Sequence, residues 1–272
     1  MEQPTTENKQ GFFRNDRRLV CSMLVVYGLC ILGAIVATFW GLDRHNKKLL
    51  ADATSTAFAI ATERAKVTAT AAARLAEQDQ YEYVERFDTP SGYWYVGMYD
   101  ENKKFGDTQL SIKDGVYIWA VADTKGFTQS IDFSKEDKVK DFDVYVDSKV
   151  VQGPKESTVC SGLFFRRRTS DWNDGAYTFS ICNNAHFEVH YYGDNKWQTI
   201  TYSEYERAIQ PWEWNRMEIS ARGDHFTFIV NNTKVFEMTD DRLKEGGLGL
   251  SVNMDEGNSA TIWFDNFGFQ SR

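Results

Sequence analysis

From Trp214 to Phe267 the chain alternates apolar and polar side chains with a period of two. Met217, Ile219 and Ala221 fall on one face of one run, and Phe226, Phe228 and Val230 on one face of the next. Gly223-Asp224 and Asn231-Asn232 stand where tight turns are needed. The pattern predicts a meander of half-buried antiparallel strands that closes on Trp263-Phe264-Asp265-Asn266-Phe267. Similar short runs separated by turn residues begin near Tyr81, at 93–99, 115–122, 142–149, 162–168, 176–182 and 186–192. They continue at 198–202, 216–221, 225–230, 234–238, 247–253 and 260–270. A dozen short strands at this spacing predict a mainly β domain over 81–272, built as a two-sheet sandwich or jelly roll.

The N-terminal pattern differs. Leu19 to Leu42 is an uncharged apolar run of 24 residues, and at about 1.5 Å per residue it spans a hydrocarbon core of about 30 Å. It predicts a transmembrane helix that is retained as an anchor, because Ile35 and Val36 spoil an A-x-A cleavage site beside Ala37. Lys9, Arg14, Arg17 and Arg18 precede the span, whereas Arg44, Lys47 and Lys48 follow it. That asymmetry leans towards a short cytoplasmic tail, 1–18, and an extracytoplasmic C-terminal domain on a single-pass protein of the cell membrane. Residues 43–80 contain neither Gly nor Pro and are rich in Ala, Glu, Lys, Arg and Leu, which predicts a helical stalk about 55 Å long. Its stripe of Leu50, Ala53, Ala57, Ile60 or Ala61, and Ala65 fits a homo-oligomeric coiled-coil seam and a single helix equally well.

Charge narrows the partners. Lys and Arg total 31 against 39 Asp and Glu. The first 79 residues hold ten basic and eight acidic side chains, so 21 basic face 31 acidic in the remainder. Such a field repels phosphate backbones and argues against nucleic acid. Aromatic residues make up 15% of the chain, enough to fill a sandwich core and still leave platforms on which sugars stack.

The β region carries a resemblance. Asp141-Phe142-Asp143-Val144-Tyr145-Val146, Gly162-Leu163-Phe164-Phe165-Arg166 and Tyr177-Thr178-Phe179-Ser180-Ile181 follow one another in the order of the concanavalin A-like lectin/glucanase superfamily. Trp214-Asn215-Arg216-Met217, Val230-Asn231-Asn232, Gly246 to Leu250 and Phe264-Asp265-Asn266-Phe267 continue that order. The chain is especially similar to bacterial laminin G-like and DUF1080-type domains that follow a transmembrane helix. The resemblance implies a concanavalin A-like jelly roll and recognition of a carbohydrate or glycoconjugate. Lectins, glycosidases and adhesive modules all use this fold, so it does not choose among them.

Pairing the strands at 161–168 and 176–182 about Asp171 sets Cys160 opposite Cys182. That register admits a cross-strand disulfide, and two buried free thiols fit the same spacing. The E-x-D-x-x-E motif of the β-glucanase branch is absent, and Glu218, Glu237 and Asp265 do not reproduce its spacing. His186 and His190 stand about 13 Å apart along a strand, which argues against a shared metal. Oxygen ligands in Asp171-Trp172-Asn173-Asp174 and Asn253-Met254-Asp255-Glu256 keep calcium open without a calcium-loop spacing, and no other cofactor is expected.

A sugar site needs an exposed aromatic face and planar polar groups nearby. Trp172, Asn173 and Asp174 supply both, with Arg166 expected beside them by strand alternation, and Tyr192 with Trp197 forms a second candidate. Asp265-Asn266 is read as structural. The sequence therefore predicts a membrane-anchored module that binds a glycan or cell-surface ligand without turning it over. A tethered glycoside-acting hydrolase of the DUF1080 type and an adhesive module are the alternatives.

Overall fold

Fifteen β-strands run through the described residues, which in this computed structural model are 80–99, 107–122, 127–135, 138–255 and 257–272, together with positions 40, 47, 48 and 62. The chain divides into two compact units, Met1–Ala73 and Arg74–Arg272. In the first, only the isolated positions just named are described, and each is helical. The predicted tail 1–18, span 19–42 and stalk 43–80 therefore lie outside the described residues, apart from Trp40, Lys47, Lys48, Thr62 and Gln80. Among the described residues no helix is long and apolar enough to cross a membrane.

The second unit is a sandwich of two antiparallel sheets. Its strands are β1 (Tyr83–Glu85), β2 (Gly97–Tyr99), β3 (Asp107–Lys113), β4 (Val116–Ala122), β5 (Phe127–Asp132), β6 (Phe142–Gln152), β7 (Val159–Arg167) and β8 (Ala176–Cys182). They continue as β9 (Phe187–Gly193), β10 (Lys196–Tyr202), β11 (Asn215–Arg222), β12 (His225–Val230), β13 (Thr233–Thr239), β14 (Gly247–Met254) and β15 (Ala260–Ser271). One sheet has nine strands, in the order β13-β12-β11-β6-β15-β4-β3-β2 with β1 also paired to β15. The other has six, in the order β10-β9-β8-β7-β14-β5.

The predicted meander appears as β11, β12 and β13. Its second turn holds Asn231 at φ 48° and Asn232 at φ 64°, the left-handed pair that lets a two-residue loop follow the strand twist. Asp194 and Asn195 turn β9 into β10 in the same way, at φ 52° and 58°. Three strands carry too little pattern to be read from sequence. β1 has three residues, β3 is mostly polar, and β5 alternates weakly. The predicted strand at 93–99 shortens to β2, and Trp94 instead enters the core against Phe133 and Phe267.

Alternation explains the core. Leu163 and Phe165 of β7, Tyr177 and Phe179 of β8, and Phe226 and Phe228 of β12 are fully buried between the sheets. Their rings interleave, with Phe165 5.2 Å from Tyr177 and Phe179 5.0 Å from Phe228. Asp265-Asn266 forms a bulge in β15, where Asn266, at φ 47°, donates its side-chain amide to Asp147 of β6 at 2.9 Å.

Candidate functional site

The residues between those core positions turn the other way, onto the outer face of the six-stranded sheet. Cross-strand register orders them. Trp197 pairs with Tyr192, and Tyr192 with Ala176. In the next row Thr199 pairs with His190, His190 with Thr178, Thr178 with Phe164, and Phe164 with Gly249. Further along lie Glu188, Ser180, Gly162 and Ser251, and at the far end Cys182, Cys160 and Asn253.

Three predicted residues meet at one end of this face. The Trp172 ring lies 5.9 Å from Trp197 and 6.1 Å from Tyr192, and Tyr192 lies 4.8 Å from Trp197. Trp172 opens a 3₁₀ turn, Trp172–Asp174, whose cap Asp171 accepts from the Asn173 amide at 2.9 Å. The Asn173 carbonyl accepts from Asp194 at 3.2 Å and ties this turn to the β9–β10 hairpin. The Asn173 side-chain oxygen is buried with no partner among the described residues. Asp174 accepts the Thr169 hydroxyl at 2.6 Å, so it braces the loop.

Arg166 does not join them. It takes φ 51° at a bulge where β7 and β14 shift register, and this reverses its side chain. Its guanidinium is fully buried over Phe226, 4.5 Å from the ring centroid, and donates to the carbonyls of Leu243 at 2.8 Å and of Lys140 and Gly223 at 2.6 Å. Arg167 takes the outward place instead. It lies 4.8 Å over Phe164 and 5.8 Å over Trp172, and it pairs with Asp132. Alternation alone predicts the wrong arginine, because a one-residue bulge exchanges the two faces.

Glu188 holds the middle of the face. His190 Nε2 stands 3.2 Å and His186 Nε2 3.9 Å from the same carboxylate oxygen, and Asn253 Nδ2 donates to the other at 3.2 Å. Burial by itself would raise the Glu188 carboxyl, but the hydrogen bonds from His186, His190 and Asn253, with the charge on His190, bring it down to about 2. The two histidines thus share a carboxylate. In a neutral His190 the bond to Glu188 places the proton on Nε2 and leaves Nδ1 as an acceptor, and Nδ1 is buried with no partner among the described residues. Ser251 Oγ is a further buried group with no partner among the described residues. The spacing His186-x-Glu188-x-His190 was readable as one face of a strand, but the shared carboxylate was not, because it depends on rotamers.

Cys160 and Cys182 form a disulfide at the directly paired positions of β7 and β8. Donor atoms of Cys160, Cys182, His186 and Glu188 all lie within 4.8 Å of one another. Of the loops considered for calcium, Asp171 and Asp174 already accept internal hydrogen bonds, Asp255 accepts from the Thr158 amide at 2.9 Å, and Glu256 lies outside the described residues.

A family model described as the 3-keto-alpha-glucoside-1,2-lyase-like domain matches residues 85–270. No curated protein matches the chain. Among solved structures, a Bacillus subtilis protein of unknown function with a galectin-like fold is 14% identical, with a TM-score of 0.52 over 70% of this chain and 96% of its own. The catalytic domain of a Thermotoga petrophila laminarinase, an endo-1,3-beta-glucanase, is 7% identical, with a TM-score of 0.52 over 71% and 98%. A beta-1,3-1,4-glucanase from a mouse hindgut metagenome is 14% identical, with a TM-score of 0.51 over 70% and 99%. At these identities the likeness is one of fold, the concanavalin A-like jelly roll.

Proposed function

The chain belongs to the family of 3-keto-alpha-glucoside-1,2-lyase-like domains, and from that premise we propose that it is a carbohydrate-binding module whose site is the outer face of its six-stranded sheet. The observation that carries this reading is the convergence of Trp172, Tyr192 and Trp197 from three separate segments, with Arg167 across Trp172. Aromatic faces take the C–H surface of a pyranose, and the Arg167 guanidinium takes hydroxyls. The ligand is a glycan or glycoconjugate. In the same proposal residues 19–42 anchor the protein in the cell membrane and 43–80 form the stalk, so that 81–272 faces outward.

A second reading is favoured by His190. Glu188 orients its imidazole, and Nδ1 is a buried acceptor without a partner among the described residues, the arrangement of a general base once a substrate proton is brought within reach. A ketone at C3 of a glycoside acidifies the C2–H bond. Transfer of that proton to Nδ1, formation of a C1=C2 bond and departure of the C1 oxygen, which takes up a proton from solvent to leave as an alcohol, would complete an elimination. The chain would then be a glycoside-acting enzyme of the kind its family description names.

One screen separates the two. The fragment Tyr81–Arg272 is tested for binding on a glycan array and for turnover of glycosides and 3-keto-glycosides, with Trp172→Ala and His190→Ala beside it. Saturable binding without products, lost in Trp172→Ala, supports the binding module. Product formation that disappears in His190→Ala supports the enzyme. A folded fragment that neither binds nor turns over leaves an adhesive module.

A further inference from the structure

The end of the outer face away from the aromatic cluster carries a different chemistry. Cys182 and His186 flank the tight β8–β9 turn, in which the Cys182 amide donates to the His186 carbonyl at 2.9 Å and the Ala185 amide to the Cys182 carbonyl at 3.0 Å. Cys160 stands across from Cys182 on β7, with its Cα 4.0 Å away. Glu188 reaches back over this pair from β9, with Asn253 bracing its second oxygen from β14. Two sulfurs, an imidazole nitrogen and a carboxylate oxygen are thus gathered within 4.8 Å. Tetrahedral zinc, with bonds of about 2.0 to 2.3 Å, asks for donor separations of about 3.3 to 3.8 Å. The His186 Nε2 to Glu188 distance is already 3.9 Å. The two sulfurs are held too close for this, because they are bonded to each other.

We propose that Cys160, Cys182, His186 and Glu188 form a zinc site that the Cys160–Cys182 disulfide closes and its reduction opens. A dithiol reductant transfers two electrons. The sulfur–sulfur bond breaks, two cysteine thiols form, and the reductant leaves as its own disulfide. Zinc then binds both sulfurs as thiolates and releases their two protons to solvent. The thiolate pair selects zinc over calcium, because soft sulfur donors match a borderline metal and not a hard one. Both cysteines are buried, but the side chains of His186 and Glu188 remain 18% and 14% exposed. Metal and reductant therefore reach the sulfurs from that side. Asn253 acts as an outer-shell partner that keeps the Glu188 carboxylate pointed at the site. Trp172 and Trp197 take no part, so the site stands or falls independently of the sugar reading.

The test uses the full chain in detergent, oxidised or reduced with a phosphine and freed of excess reductant. Cobalt(II) serves as a spectroscopic probe, and zinc is measured by competition with a chromophoric chelator. The reduced chain should take up about one metal per chain and show sulfur-to-cobalt charge transfer with tetrahedral d–d bands, whereas the oxidised chain shows neither. His186→Ala and Glu188→Gln, both reduced, should bind at least about tenfold more weakly, the loss that removal of even an outer-shell partner produces. Zinc should raise the thermal midpoint of the reduced chain and leave that of the oxidised chain unchanged. A reduced chain that has lost its far-ultraviolet β signal should regain it on zinc addition. The proposal is overturned if the reduced chain shows no sulfur-to-cobalt band, if oxidised and reduced chains bind equally, or if both variants bind like the parent.

Discussion

The positive φ of Arg166 places a permanent cation inside the sandwich, where three backbone carbonyls and the Phe226 ring surround it. Removing it leaves those carbonyls without their donor. Arg166→Ala should therefore lower unfolding stability by roughly 3 kcal/mol or more, read as a shifted urea midpoint. Arg167→Ala should move that midpoint by less than about 1 kcal/mol, because its ion pair with Asp132 is partly exposed. The same change should weaken glycan binding by about tenfold, through loss of the cation from the Phe164 and Trp172 rings. Glu188 gives a pH signature. Its carboxyl lies near 2 in the folded chain against an ordinary 4.5, so its contribution to stability is complete above about pH 4.5 and is lost as pH falls towards 2. The displacement corresponds to a contribution on the order of 3 kcal/mol. Glu188→Gln should flatten the decline of the thermal midpoint over that window, and an unchanged acid profile would refute the assignment.

At the scale of strands, β7 and β8 are the hinge of the site. Their register sets Cys160 against Cys182 at one end, while the loop between them presents Trp172 at the other. Gly162 permits the pairing in between, since a Cβ there would lie 2.5 Å from Ser180 Oγ and 2.4 Å from the Phe179 carbonyl. The disulfide joins residues 22 apart, and closing a loop of that size contributes about 3 kcal/mol. A Cys160→Ala/Cys182→Ala double variant should lose about that much in a denaturant titration and keep its β signal, because twelve further antiparallel pairings in the two sheets do not depend on it. The pairing about Asp171 was legible because both strands alternate cleanly and their loop is short. β3 and β5 were not, because their faces are too polar for a period of two to stand out.

On the scale of the whole molecule, the two regions of the sequence differ in kind. If residues 19–42 anchor the protein as proposed, the full chain should remain in the membrane pellet after alkaline extraction, while Tyr81–Arg272 should be recovered in solution with its β signal intact. A full chain released at alkaline pH would refute the anchor. The alternation of side chains by itself determined that the C-terminal region forms a β-sandwich, whose strands run from Tyr83 to Ser271, and where most of them lie, since burial of one strand face needs only local periodicity. It also brought Trp172, Tyr192 and Trp197 forward as candidates by residue type. Only the tertiary structure decided that these three share one cluster, that Arg167 and not Arg166 faces them, and that His186 and His190 turn towards one carboxylate. Those outcomes rest on a bulge that exchanges faces, on strand order across the sheet and on rotamers set by packing. None of these is a property of a sequence window, because each arises from contacts between residues far apart along the chain.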